Sequence, residues 1–238
     1  MNLPLLKQSI KSNFAIWALV TITLNILLGQ LLSLDMASLV TQMYYNMLLP
    51  AIVSIYIIVT GNKLLAGQVD RGSMAYILST PIKRRTISLT QALYFTGSLA
   101  LTFLTTTGTF LAVNYLTDAN FAVPTILALN FGAFAVSFAL AGIMYAASGI
   151  FNLSKHVMGT GGVLVLAFLI LAIVGSFADF GVPDLDPVKN LTILSLFDIK
   201  DILIEGTKWL PQLGILGVIG LVGFGTGSIA FSKKDLPL

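Results

Sequence analysis

Apolar residues run through this chain in blocks of about twenty, separated by short polar intervals. Crossing about 30 Å of hydrocarbon takes roughly 20 mostly apolar residues in a helix. Six blocks meet that length: about 14–34, 43–61, 89–115, 123–150, 157–178 and 211–231. None contains Asp, Glu, Lys, Arg or His. In lipid every backbone polar group must be satisfied within its own segment, so all six are expected to be helices. The third and fourth are long enough to tilt or to protrude into the headgroups. The pattern predicts an all-α membrane protein with six transmembrane helices, residues 1–238 forming a single transmembrane domain. Lys7 and Lys11 resemble the basic start of a signal peptide, but the apolar run after them is long and no small-x-small site follows. An uncleaved first span is expected.

Punctuation agrees with these boundaries. Pro124 and Pro211 fall at the starts of the fourth and sixth spans, where a missing N–H costs nothing. Pro50 lies inside the second and is expected to kink it. Tyr44, Tyr45, Tyr115 and Trp209 are placed at the outer interface, Trp17 and Tyr94 at the inner one, as an aromatic belt. Two connections exceed simple turns: 62–88 and 179–210. In the second, Pro183, Pro187 and three aspartates predict loop. After them Leu194, Phe197, Ile199, Ile202 and Leu203 recur at near-helical spacing, with Asp198, Lys200, Asp201 and Glu205 between. That predicts a short amphipathic helix lying on the outer membrane surface.

Charge sets the orientation. With the N-terminus in the cytoplasm, Lys7, Lys11, Lys63, Arg71, Lys83, Arg84, Arg85, Lys155, Lys233 and Lys234 fall inside; only Lys189, Lys200 and Lys208 fall outside. Asp70 and Asp235 are the inner acids, and the other eight lie outside. The positive-inside rule therefore predicts that both termini are cytoplasmic.

Composition prunes the chemistry. The chain is 56% hydrophobic and 10% charged, with mean hydropathy +0.93 and net charge +3. Soluble domains carry about 25% charged residues, so lipid is the expected solvent. There is no cysteine, which excludes disulfides, thiolate metal sites and cysteine nucleophiles; the single His156 cannot build a multi-histidine site. No G-x-x-x-x-G-K-[ST] phosphate loop occurs, and "GTGGVL" at 159–164 lacks the lysine. H-E-x-x-H, G-x-S-x-G and paired intramembrane aspartates are also missing, which argues against a protease or lipid hydrolase. Uncharged spans argue against proton coupling, because coupled carriers place ionisable groups in the membrane.

Against this background "GQVDRGSMAYILSTPIKRRTISLT", residues 67–90, stands out. Residues 68–79 place Val69, Met74, Ala75, Ile77 and Leu78 on a weakly helical period. Asp70 or Ser73 is expected to cap that helix and Pro81 to stop it. Lys83, Arg84 and Arg85 then mark re-entry into the bilayer. Without any special role this would be a short interfacial helix and a positive-inside anchor.

The stretch resembles the loop after the second span in permease subunits of the type-2 ABC exporters. That family carries an acidic residue, Gly-Ser or Gly-Thr, a Leu-Ser/Ala-Thr-Pro tetrapeptide, then basic residues and a hydroxyl-rich helix start. Asp70, Gly72, Ser73, Leu78, Ser79, Thr80, Pro81, Arg84 and Arg85 match it here, Asp70 standing where the family often has Glu. The terminal "FSKKDLPL" at 231–238 is similar to the family's aromatic-basic-Asp-Leu ending. The resemblance implies a type-2 ABC exporter-like fold in a bacterial plasma membrane. It further implies a second permease subunit, the same or paralogous, and two ABC ATPase subunits that bind ATP and Mg. This chain would then be no enzyme and hold no cofactor, and no nucleic acid would be involved. Asp70, Arg71, Gly72, Ser73, Tyr76, Ser79, Thr80, Pro81, Arg84 and Arg85 would form the coupling helix and its flanks, touching the ATPase.

Softer features remain. The sixth span carries Gly214, Gly217, Gly220, Gly223, Gly225 and Gly227, and the fourth offers Ala135, Ala139, Gly142 and Ala146. Small residues let helices approach, within one subunit or across a dimer. Asn25, Gln30, Thr102 and Thr106 are candidates for lining a translocation path, with interhelical hydrogen bonding as the alternative. An apolar route dotted with hydroxyls suits a hydrophobic or amphipathic cargo: a peptide, a lipid-like molecule or a drug. Two other functions share the architecture: a non-transporting membrane protein that binds a partner, as an immunity or sensor subunit does, and an ATP-independent carrier.

Overall fold

The computed structural model describes residues 2–34, 36–79, 82–117, 119–177, 185–204 and 206–235. In chain order the helices are α1 (Leu3–Ser33), α2 (Val40–Leu64), α3 (Ala66–Asp70), α4 (Ser73–Leu78) and α5 (Arg84–Thr117). They continue with α6 (Val123–Ile150), α7 (Ser154–Ser176), α8 (Asp186–Lys189), α9 (Ile199–Leu203) and α10 (Trp209–Lys233). A single turn, Ala37–Leu39, leads into α2. No strand occurs among the described residues. Six helices, α1, α2, α5, α6, α7 and α10, are long and apolar enough to cross a membrane. Consecutive long helices alternate in direction. One end of the bundle therefore gathers the N-terminus, α3, α4 and the C-terminus with the ten cations counted above, and is called here the basic end.

The helix ends differ from the sequence reading in instructive ways. α1 begins at Leu3, well before the predicted start at 14. The Asn2 side chain caps it, accepting the Leu5 N–H at 2.9 Å. Ser9 and Asn13, which interrupt the apolar run, are buried against α5. A ladder of polar contacts follows that contact. Ser9 Oγ donates to Gln91 Oε1 (2.8 Å), Trp17 Nε1 donates to the Ser98 carbonyl (3.0 Å), and the Thr21 and Thr102 hydroxyls pair at 2.9 Å. Each such bond contributes about 0.6 kcal/mol in membranes, so the ladder fixes register more than it adds stability.

In α2 the residues Val40–Leu48 form a π-helical run that gives way to α-helix at Leu49, just before Pro50. The Leu49 N–H bonds back five residues to Tyr44 O. A proline lacks the N–H for residue i−4 and its ring crowds that carbonyl; widening the preceding turns removes both conflicts. The break expected at Pro50 thus lies next to a run of wide turns.

The most extensive helix contact joins α6 to α10, and glycines permit it. A Cβ on Gly142 would lie 2.6 Å from Gly220 O, and one on Gly227 would lie 2.7 Å from Tyr145 O. A Cβ on Gly149 would fall on the Gly227 carbonyl, and one on Gly223 on the Gly142 backbone. Gly214, Gly217 and Gly225 face open space. The buried glycines are therefore a seam within the subunit. Around it Phe224 packs on Phe138 (5.2 Å between centroids) and Tyr145 (5.0 Å).

Three of the expected belt aromatics belong to the core. Tyr44 and Tyr45 are wholly buried, and Tyr94 nearly so. Tyr115 is exposed, and Trp17 and Trp209 are half-buried. Nor is there one amphipathic helix after residue 190. A 3₁₀ turn, Ile193–Leu196, is followed by the five-residue α9. Both fold onto the bundle: Leu194, Ile199 and Ile202 are buried, and the Phe197 ring fills the space a Cβ on Gly132 would take. The helical spacing of apolar residues was real, but Phe197 and Asp198 break it to drop the chain over the end of the bundle. Asp201 ends the segment by accepting the Trp209 N–H (3.0 Å) at the start of α10.

Candidate functional site

The resembling stretch forms a helical hairpin at the basic end. One weakly helical segment over 68–79 was expected; the structure has two, α3 and α4, broken at Arg71 and Gly72. Gly72 has φ 71° and ψ −3°, the left-handed region where a side chain costs about 1–2 kcal/mol. α3 is set into the bundle: Ala66, Gly67 and Val69 are buried, and the Ala66 N–H donates to Ser148 Oγ on α6 (3.1 Å). Arg71 Nε donates to Gly67 O (2.9 Å), folding the guanidinium back along α3.

Neither predicted cap acts as expected. Asp70 Oδ2 accepts the Ser154 N–H (3.2 Å), so it caps α7, 84 residues along the chain. Ser73 Oγ donates to Gln68 O (3.1 Å), across the hairpin. In α4, Met74 and Ile77 point inward while Ser73, Ala75 and Tyr76 are exposed; Tyr76 is 82% accessible. Ser79 is exposed, and its hydroxyl donates to Tyr76 O (2.8 Å). Thr80 and Pro81 lie outside the described residues. The hairpin therefore presents Arg71, Gly72, Ser73, Tyr76 and Ser79 outward, while Asp70 ties it to the start of α7.

Arg84 and Arg85 sit apart from this edge. Arg84 Nη1 donates to Lys234 O (2.8 Å). Lys234 Nζ donates to Phe151 O (2.9 Å) and lies 5.4 Å from the Phe231 ring centre. Asn152 Nδ2 reaches Asp235 O at 3.3 Å. The C-terminal residues thus clasp the ends of α5 and α6, a role that spacing in the sequence could not reveal. Burial pushes the Lys234 amine down from its ordinary 10.5 to about 8. The unfolded chain holds this proton more tightly than the folded one, so the penalty is full below about pH 8. It fades as pH rises towards 10.5. In detergent, thermal stability should rise across that window, and Lys234→Met should flatten the rise; an unchanged slope in the variant would contradict the assignment.

Three of the four candidate path residues, Asn25, Thr102 and Thr106, are engaged inside the subunit. Thr102 and Thr106 are buried. Thr106 Oγ1 donates to Asn130 Oδ1 (3.1 Å), and Asn25 Nδ2 donates to Thr21 O (2.7 Å) while its Oδ1 accepts from Thr109 (2.5 Å). Gln30 is exposed near the far end of α1.

A cavity of about 500 Å³ opens at the end opposite the hairpin, between α2, α6, α7 and residues 190–203. The wide turns of α2 turn Thr41, Gln42, Tyr45 and Asn46 towards it; Ser137 and Ser176 come from α6 and α7, and Thr192, Ser195, Asp198 and Lys200 from the infolded segment. Leu49, Val53, Val136 and Leu140 supply apolar wall. Sequence spacing missed this site because the π-helical run and the infolded segment create it. Among the described residues no group of three His, Cys, Asp or Glu could hold a metal ion. No protein-family model matches the chain, and no curated protein matches it.

Proposed function

We propose that this chain is the membrane-spanning permease subunit of an ATP-driven exporter of the type-2 ABC kind, a multi-pass protein of the cell membrane with cytoplasmic termini. A second permease subunit would complete the pathway, and separate ATPase subunits would bind ATP and Mg and dock on the α3–α4 hairpin. The observation that carries the reading is the hairpin itself. It holds one exposed aromatic, Tyr76, on a turn that needs glycine, and it is anchored to α6 through Ser148 and to α7 through Ser154.

The mechanism follows from those anchors. α6 and α7 both run from the hairpin to the cavity at the other end. ATP-driven closure of the ATPase pair displaces the hairpin, and the two helices carry that displacement to the cavity walls as rigid bodies. Hydroxyls and amides set in apolar wall suit an amphipathic cargo, held by hydrogen bonds rather than by countercharge.

Orientation gives the first test, and a chain without cysteine offers no background labelling. Ser73→Cys lies on the hairpin and Leu191→Cys at the opposite end, where Leu191 is 64% exposed. On intact cells a membrane-impermeant maleimide should label the second and reach the first only after permeabilisation. Labelling of the hairpin from outside would remove it from ATP and end the proposal.

A further inference from the structure

A second recess lies at the basic end, between the first turns of α5 and the last turns of α10. Its volume is about 410 Å³, and it is lined by Arg85, Leu89, Ser228, Ile229, Ser232 and Lys233. Helical spacing orders these residues by depth. Arg85 and Lys233 stand at the rim; Leu89 and Ile229, each four residues further along their helices, lie one turn deeper into the bundle's length. Both apolar residues face outward, 55% and 57% exposed. Ser228 and Ser232 line the α10 side, half-buried.

Among the described residues neither cation has an ion-pair partner or hydrogen bond. Their charged neighbours are mostly of the same sign: Lys83 precedes α5, Arg84 is engaged with the Lys234 carbonyl, and Lys234 with Phe151. Asp235 is, among the described residues, the acid closest along the chain to either cation, and it is exposed beyond the end of α10. Among the described residues the recess therefore offers two unpaired cations and the Ser232 hydroxyl at the rim, opening onto an apolar strip where acyl chains run, with Ser228 a turn deeper beside Ile229. A positive-inside anchor needs only the charge; it needs neither a recess nor the apolar strip beneath it.

We infer that this recess binds the phosphate headgroup of an anionic phospholipid, Arg85 and Lys233 holding the phosphate while its chains lie along Leu89 and Ile229. The bound lipid bridges α5 to α10 beside the Arg84–Lys234 tie. The inference rests on the six helices being membrane spans and not on the exporter reading, so either can fail alone. The full-length protein in neutral detergent, supplied with equimolar phosphatidylglycerol and phosphatidylcholine of identical chains, is analysed by native mass spectrometry. Wild type should retain phosphatidylglycerol preferentially, one per protomer. Arg85→Gln with Lys233→Gln should lower that preference roughly 30-fold, two interfacial cations being lost. Ser232→Leu, which fills the recess and keeps both charges, should lower it as well. Lys7→Gln with Lys11→Gln, which removes the same charge from exposed sites at the same end, should leave it unchanged. Glycerol phosphate at millimolar concentration should not displace the lipid. Equal retention in the double variant, equal loss in the Lys7 and Lys11 control, an unaffected Ser232→Leu protein, or displacement by glycerol phosphate would each overturn the inference.

Discussion

Gly149→Ala should weaken the folded bundle more than any other single methyl group added to the chain. The new Cβ would meet the Gly227 carbonyl, a backbone atom that cannot rotate away as a side chain can. α6 and α10 would have to separate along the seam, and Gly142, packed on the Gly220 backbone, and Gly223, packed on that of Gly142, would lose contact with it. Overpacking of this kind costs about 1–3 kcal/mol. For a chain of this size that lowers the unfolding temperature in detergent by roughly 2–10 °C. Gly217→Ala on the same helix meets nothing within 4 Å and should stay within about 1 kcal/mol of wild type. The contrast separates steric exclusion at the seam from any general effect of alanine on helix propensity. Matching melting temperatures for the two variants would mean that the helices do not approach as closely as described.

The largest functional loss is expected from Gly72→Val combined with Tyr76→Ala. Valine at φ 71° is strained whatever the surrounding space, so the hairpin tip must re-form. Truncating an exposed aromatic that serves as a docking anchor typically costs 2 kcal/mol or more, about 30-fold in affinity. Association with the ATPase should therefore fall at least tenfold and transport should cease. The bundle itself should lose no more than the strain at Gly72, about 1–2 kcal/mol or roughly 2–8 °C, because Met74 and Ile77 are the described residues by which α4 packs inward. Neither residue carries charge, so orientation is left alone. Tyr76→Phe, which keeps the exposed ring, should retain docking. Docking and transport that survived the double change would show that the hairpin is not the contact.

How far the sequence foretold this arrangement depends on what each residue needed to reveal itself. Six helices were legible because crossing a bilayer imposes a length, and that length needs no partner to be seen. Their ends were less legible. Ser9 and Asn13 look like a boundary until Gln91 and α5 are beside them. Tyr44 and Tyr45 look like interface aromatics until the wide turns before Pro50 rotate them inward. The hairpin was visible as a motif, but its break at Gly72 and the reach of Asp70 to Ser154 were not, because one depends on a dihedral angle and the other on a contact across 84 residues. The seam could be read as glycine spacing, yet only the geometry distinguishes Gly149, packed on backbone, from Gly225, which faces open space. The 500 Å³ cavity had no sequence signature at all, since its polar lining comes from four separate stretches of chain.

The proposed contact between the hairpin and a separate ATPase subunit is the point on which the exporter reading turns. Its most direct test is purification of the protein from its native membrane in mild detergent, with and without prior crosslinking, followed by mass spectrometry and an ATPase assay. The account predicts a stoichiometric partner bearing a phosphate loop and an ABC signature, with ATP hydrolysis in the complex. A protein recovered with no such partner even after crosslinking would contradict it.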